Sequence, residues 1–259
     1  MHYPVNIINR SLCILLLLPF GLSAQSYEQP NSLSNSGSAK KILIIPYESK
    51  MHISDADHDI AEYSNRSPQQ MRAMFRQGVA HQLNATIVKV YPTYSILEDL
   101  RPEAQKELDN IYHSIDYSYD TVFSALKPQQ DSLLKKKNIS RKEQKKELEA
   151  KTASGDLKFM NVKVLNPHLL SDLNQKYEAD VFVFVSQVEI KTNHKDCAGA
   201  GNDVYDRDIK LHYAVFDKYG TELNGDIAKV NYPNSTNDVN QIMAQNFPQL
   251  SQIILDTIR

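Results

Sequence analysis

The run Val181-Phe182-Val183-Phe184-Val185 constrains the fold more than any other part of the chain. Consecutive large β-formers leave no side for water, so a strand built from them has to be covered on both faces. A sheet packed on each side is the geometry of an α/β domain. Glu178-Ala179-Asp180 precedes the run and Ser186-Gln187-Val188-Glu189-Ile190-Lys191 follows it. There Val188 and Ile190 alternate with Gln187, Glu189 and Lys191, so one face is expected to emerge into solvent.

The rest of the chain supplies partners for such a strand. Lys41-Ile42-Leu43-Ile44-Ile45-Pro46 is another short run apolar on both faces and reads as a buried strand. Met51–Asn65 is polar and reads as loop. Ser67-Pro68-Gln69-Gln70 starts a helix: Ser67 caps, Pro68 suits the first turn and Gln70 completes a capping box. Met71, Met74, Phe75, Val79 and Leu83 then fall on one helical face. Thr86–Tyr91 reads as a strand ended by Pro92, which makes a parallel crossover unit.

In Pro102–Leu126, Ala104, Leu108, Ile111, Ile115, Tyr119 and Val122 recur at helical steps, so a long helix is expected. A second helix is expected from Ser140 to Lys151, with Ser140 and Glu143 as its capping box. Asn166-Pro167 opens a helix with Leu169, Leu170, Leu173 and Tyr177 inward. Asn193–Asp203 is loop by composition. Ile209–Val215 alternates, Asp217-Lys218-Tyr219-Gly220 turns and Thr221–Val230 returns, a β-hairpin. Asn237–Ile258 is helical, with Pro248 as a kink. The expected architecture is α/β with an α+β tendency: a mixed four- to five-stranded sheet, flanking helices and a helical-hairpin insertion. Residues 40–98 and 155–259 are its two parts, and residues 99–154 are the insertion.

The first residues read as an address rather than as fold. Arg10 precedes the apolar run Leu12–Leu22, and Ser23-Ala24-Gln25 follows, the pattern of a signal peptide over residues 1–24 cleaved after Ala24, with Ser23 as second choice. Cys13 sits near the start of the apolar run and not at its end, which argues against a lipid anchor. The Ser-Ala-Gln exit resembles signal peptides common in Bacteroidetes. Residues 25–39 are Ser- and Asn-rich and read as a disordered linker. Cleavage would leave Cys197 alone, so no internal disulfide could form and the core has to hold the fold. No later run reaches the length of a membrane span. The expected location is periplasmic or secreted. A net charge of −2 gives no global pull toward nucleic acid, and none is expected as a partner.

Three groups of residues are candidates for chemistry. Asp55, Asp57 and Asp59 alternate as a calcium loop begins, but Ile60 stands where such a loop needs Gly and Arg66 where it needs Glu. A solvated acidic loop or a weak metal site are the readings left. Cys197 and His194 lie together in a Gly-containing loop, the minimum for a thiol nucleophile with a base, without any surrounding signature. Between Lys135 and Lys151 there are eight Lys or Arg against three Glu. Lys135, Lys136, Lys137, Arg141 and Lys142 form a basic face that suits an anionic surface or is merely solvated. No pattern calls for a cofactor.

The layout resembles the periplasmic α/β domain of curli-secretion-channel subunits, penicillin-binding-protein activator lipoproteins and the amino-terminal domain of the translocation protein TolB. The stretches that carry the resemblance are Lys41–Glu48, Glu178–Ile190 and Ile209–Leu223. It implies an exported, non-enzymatic interaction module in envelope assembly or transport, with a protein partner in the envelope. Its contact residues would be Gln187, Glu189 and Lys191, with the basic insertion. An exported thiol enzyme or hydrolase using the Cys197 loop, and a periplasmic protein binding a divalent ion or ligand, are the alternatives.

Overall fold

The structure, a computed structural model, describes residues 40–122, 156–193 and 205–258. Its centre is β6, Val181–Thr192, with β1, Ile42–Ile45, parallel to its first half. A short strand, β2, His52–Ser54, runs parallel to its second half. β3, Thr93–Ser95, lies outside β1. On the other side β7, Asp206–Asp217, and β8, Glu222–Pro233, continue antiparallel as a hairpin. The order β3-β1-β6-β7-β8, with β2 also on β6, is a six-stranded mixed sheet in an α/β fold.

Alternation sorts the side chains of β6 between two cores. Val181, Val183 and Val185 join Ile42 and Ile44 under helix α2, Pro68–Ile87, and the last helix, α5, Val239–Ile258. Phe182 and Phe184 join Leu43 and Ile45 under α3, Pro102–His113, and α4, Leu169–Tyr177. Phe184 meets Phe216 edge-on, with ring centroids 5.7 Å apart. Completing the second layer is a separate hairpin of β4, Ile115–Thr121, and β5, Lys158–Val164.

Several expected elements are present. Ser67 and Gln70 form both bonds of the capping box at the start of α2. The β7–β8 turn places Gly220 at φ 85°, a conformation that glycine adopts at no steric cost. The last helix runs through Pro248, which lies on its exposed side.

Three expectations are corrected. Thr86 and Ile87 end α2 instead of starting a strand, because they continue the buried stripe of Phe75, Val79 and Leu83. The apolar residues that follow, Val88 and Val90, are exposed, and the strand begins only after Pro92. Met51–Asn65 holds β2 and a short helix, α1, Asp57–Tyr63, anchored by buried Ile60 and Ala61. The long helix from Pro102 stops at His113. Ile115-Asp-Tyr-Ser-Tyr-Asp-Thr is a strand, and its aromatic and β-branched residues outweigh the coincidental helical spacing of Ile115 and Tyr119. The helix from Ser140 lies outside the described residues.

The β4–β5 hairpin seats on the sheet where β8 carries no side chain. A Cβ on Gly225 would fall 2.2 Å from the ring of Phe159. Gly225→Ala should therefore cost about 1–3 kcal/mol in urea unfolding, as overpacked cores do. Adding Phe159→Leu should recover part of that loss, a non-additivity readable in a double-mutant cycle. Strict additivity would show that the hairpin is not seated through this contact.

Candidate functional site

The fold brings together two of the groups picked out in the sequence. β2 pairs with the second half of β6, His52 opposite Val188 and Ser54 opposite Ile190. Asp55 N–H then donates to Ile190 C=O at 3.1 Å. The acidic stretch Asp55–Asp59 thus lies against the end of the strand bearing Gln187, Glu189 and Lys191.

The three aspartates do not converge. Asp55 accepts from Thr192 N–H at 3.1 Å and Thr192 Oγ1 at 3.2 Å. Asp57 and Asp59 are on α1, where a two-residue step is about 200° of rotation. Asp57 Oδ1 faces His52 Nε2 at 3.0 Å and its Oδ2 takes Arg72 Nε at 2.5 Å. Asp59 takes Arg207 Nη2 at 2.6 Å, while Arg207 Nη1 donates to Asn237 at 2.5 Å. Among the described residues no group of three or more His, Cys, Asp or Glu could hold a metal ion.

On the first face of the sheet these contacts make a chain that runs from the buried His52 ring out to the partly exposed Arg72. Tyr47 OH lies 3.5 Å from His52 Nδ1, His52 Nε2 donates to Asp57, and Arg72 closes the chain. His52 packs on Phe75 and is only 5% exposed. Burial raises the affinity of Asp57 for a proton, but the hydrogen bonds from His52 and Arg72 outweigh it, leaving the carboxyl below its ordinary range. Burial pushes the Tyr47 phenol well above its usual value.

On the second face the expected solvent-facing row is buried. Gln187 is 0% exposed and Glu189 6%; Lys191 alone of the three is exposed. The covering element is β5. Ser186 Oγ donates to Met160 C=O, and Met160 N–H donates to His212 Nδ1 at 2.9 Å. Gln187 Nε2 donates to Glu189 Oε1 at 2.6 Å, and Lys191 reaches Glu189 at 3.2 Å. Because Nδ1 of neutral His212 accepts, its Nε2 carries the hydrogen. That N–H lies 3.6 Å from Glu189 Oε1, beyond hydrogen-bond reach, and Nε2 is buried without a partner. Burial, opposed by Glu189, lowers the His212 pKa to about 4. Lys210 and Lys229 pair with Asp156 at the same layer, and Lys229 also with Asp208 at 2.8 Å.

His212 and Arg207 were not singled out from sequence. His212 had a usable signal. It is a polar position of one strand opposite Gln187 of its neighbour, so the polar rows of both strands share a face that needs a cover. His194, Cys197, Lys135, Lys136, Lys137, Arg141 and Lys142 lie outside the described residues.

No family model matches the chain, and no curated protein matches it. Among solved structures it is similar to the hypothetical protein CT253 from Chlamydia trachomatis, at 10% identity and TM-score 0.38, covering 85% of this chain and 98% of that one. It is also similar to lipoprotein GNA1162 from Neisseria meningitidis, at 11% identity and TM-score 0.31, covering 85% and 97%. At these scores the likeness assigns neither family nor role, and it does not confirm the resemblance to curli-secretion-channel subunits, penicillin-binding-protein activators or TolB.

The His212 environment makes stability depend on pH. Unfolded, the ring titrates near 6.5; folded, near 4, so between these values the unfolded chain holds more protons. Stability should fall as pH drops through that window, by on the order of 3 kcal/mol. His212→Gln keeps an acceptor for Met160 N–H and should flatten this slope, leaving the loss at lower pH where Asp57 protonates. Urea midpoints across the window read the difference; equal slopes for the two proteins would contradict it.

Proposed function

We propose that this chain is an exported, non-enzymatic interaction module of the bacterial cell envelope. The observation that carries this reading is the inward orientation of its acid–base groups. His52 and His212 are 5% and 2% exposed, and Asp57 and Glu189 are turned toward them beneath the helical layer and the β4–β5 hairpin. Such groups lock layers together, whereas catalytic acids and bases have to reach a substrate. No helix of the described residues is long and apolar enough to cross a membrane.

The proposed contact surface is basic. Lys191 stays exposed at the end of β6, and the sequence adds Lys135, Lys136, Lys137, Arg141 and Lys142. A partner with an acidic face, or an anionic envelope surface, complements this charge. The signal-peptide pattern of residues 1–24 supports the location. The resemblance to envelope adaptor domains supports the role, with assembly or transport as the process served.

The test is retention of the full chain on an envelope fraction. Charge reversal of Lys135, Lys136, Lys137, Arg141 and Lys142 to Glu should weaken retention at least roughly tenfold, given about 1 kcal/mol per basic residue near an anionic surface. Retention of the unaltered chain should fall with added salt. Lys191→Glu should have a smaller effect in the same direction. Unchanged retention with unchanged unfolding would remove the basic surface from the reading, and recovery of the chain in the cytosol would remove export.

A further inference from the structure

We propose that the β4–β5 hairpin is an acid-released flap: a proton on His212 breaks its tie to the sheet, and the hairpin opens to uncover Gln187 and Glu189. The inference goes beyond the contact surface proposed above and does not rest on it. The hairpin is a two-stranded sheet of its own and not a continuation of the six-stranded one. Its ladder runs from Ile115 opposite Val164 to Thr121 opposite Lys158, without any residue of the main sheet. At its base Ser114 C=O accepts from Leu165 N–H at 2.9 Å and from Asn166 N–H at 3.2 Å. The two strands thus leave α3 and approach α4 through one fixed point. A segment with its own ladder and a tied base opens as a unit, below the cost of unfolding the whole chain.

One of the bonds that seat the hairpin depends on the charge of a ring. Both backbone groups of Met160 point away from β4: the carbonyl accepts from Ser186 Oγ, and the amide donates to His212 Nδ1 at 2.9 Å. A neutral imidazole accepts at one nitrogen, whereas an imidazolium carries hydrogen on both and accepts at neither. A proton on Nδ1 therefore sets two N–H groups against each other. The ring is 2% exposed, so bulk water does not replace the lost bond. The other nitrogen offers no compensation, being buried without a partner and 3.6 Å from Glu189 Oε1. Phe159, Val162 and Ile115 belong to the second core and hold the flap shut while the ring is neutral.

The charges around the ring come from every element packed on it, and they oppose one another. β6 supplies Glu189 and Lys191, β7 supplies Lys210 and Asp208, β8 supplies Lys229, and Asp156 lies just ahead of β5. Glu189 is held by Gln187 and Lys191, Asp156 by Lys210 and Lys229, and Asp208 by Lys229. The hairpin's own charged residues Asp116, Asp120, Lys158 and Lys163 are exposed. Burial therefore decides, and it lowers the His212 pKa from 6.5 to about 4. In the open form the ring regains water and its ordinary value, so the open form holds more protons between these limits. The seated form is fully favoured above the upper limit, and acid shifts the balance toward the open form by about 300-fold as pH falls to the lower one. Glu222, which accepts from Asn161, acts in the opposite sense: burial raises its pKa, so a proton there favours the seated hairpin.

The test is amide hydrogen exchange of the full ¹⁵N-labelled chain across the His212 window, with intrinsic rates divided out and the His212 ring titrated in the same samples. At each pH the amides of Ile115–Thr121 and Lys158–Val164 should open more readily than those of Ile42–Ile45 and Val181–Val185. Their opening constant should rise on the order of 100-fold across the window and track the titration of the ring. His212→Gln keeps an acceptor for Met160 N–H and should remove most of that rise. Ser186→Ala removes a tie that does not titrate, so it should loosen the hairpin by a similar factor at both ends of the window and leave the main sheet as it was. That variant keeps the test decisive if His212→Gln does not fold. The proposal is overturned if hairpin and main-sheet amides open together at every pH, if His212→Gln keeps the parent's pH dependence, or if Ser186→Ala loosens both sheets alike.

Discussion

One irregularity in β6 decides how the two sides of this protein are divided. Between Val185 and Gln187 the register of β6 against β7 slips, leaving Ser186 as the extra residue of a β-bulge. A strand has a period of two, so a single extra residue exchanges its faces. Before the bulge the first core takes Val181, Val183 and Val185; after it, the same core takes Val188 and Ile190. That face therefore stays apolar along the whole strand. The polar residues Gln187 and Glu189 are sent to the opposite face, where Phe182 and Phe184 began a second core.

The β4–β5 hairpin exists in its present seat because of that exchange. Over Phe182 and Phe184 an apolar cover suffices, and α3 and α4 supply it. Over Gln187, Glu189 and His212 the cover has to bring hydrogen bonds. β5 does so with the amide and carbonyl of Met160. Asn161 extends the seam to Glu222 at 3.1 Å. Phe159 of the same strand adds the apolar grip, pressed where Gly225 leaves room. Removing one member of such a layer costs more than its own contact, since the partner is left buried and unsatisfied. The layer thus specifies one seat for the hairpin more than it adds stability.

Much of this was legible in the residues. The strands that are apolar on both faces, the hairpin around Gly220 and the stripes of α2 and α5 follow from periodicity and turn chemistry, which act locally. The misread parts depend on distant partners. Gln187 and Glu189 alternate as a solvent-facing row would, and nothing near them in sequence announces that β5 covers them. Ile115–Thr121 has helical and strand-like spacing at once, and pairing with Lys158–Val164 decides between them. The alternating aspartates looked like one site because a loop would gather them. A helix at Asp57 turns Asp57 and Asp59 apart, and Arg72 and Arg207, remote in sequence, take them separately.

With both faces of the sheet covered, recognition is left to its ends and edges, and the two edges are not equivalent. Tyr205 and Asn234 hydrogen-bond across the end of the β7–β8 ladder. By alternation, Gly225, Ile227, Lys229, Asn231 and Pro233 then direct their backbone groups away from β7. This long edge is defended. The Asp226 carboxylate takes the outward N–H of Ile227 at 2.8 Å. Pro233 has no N–H to offer, and Lys229 places a charge on the border, as edges that resist pairing do. β3, only three residues long, is protected against pairing by its brevity and not by such devices, so the two borders of one sheet meet the same hazard by different means.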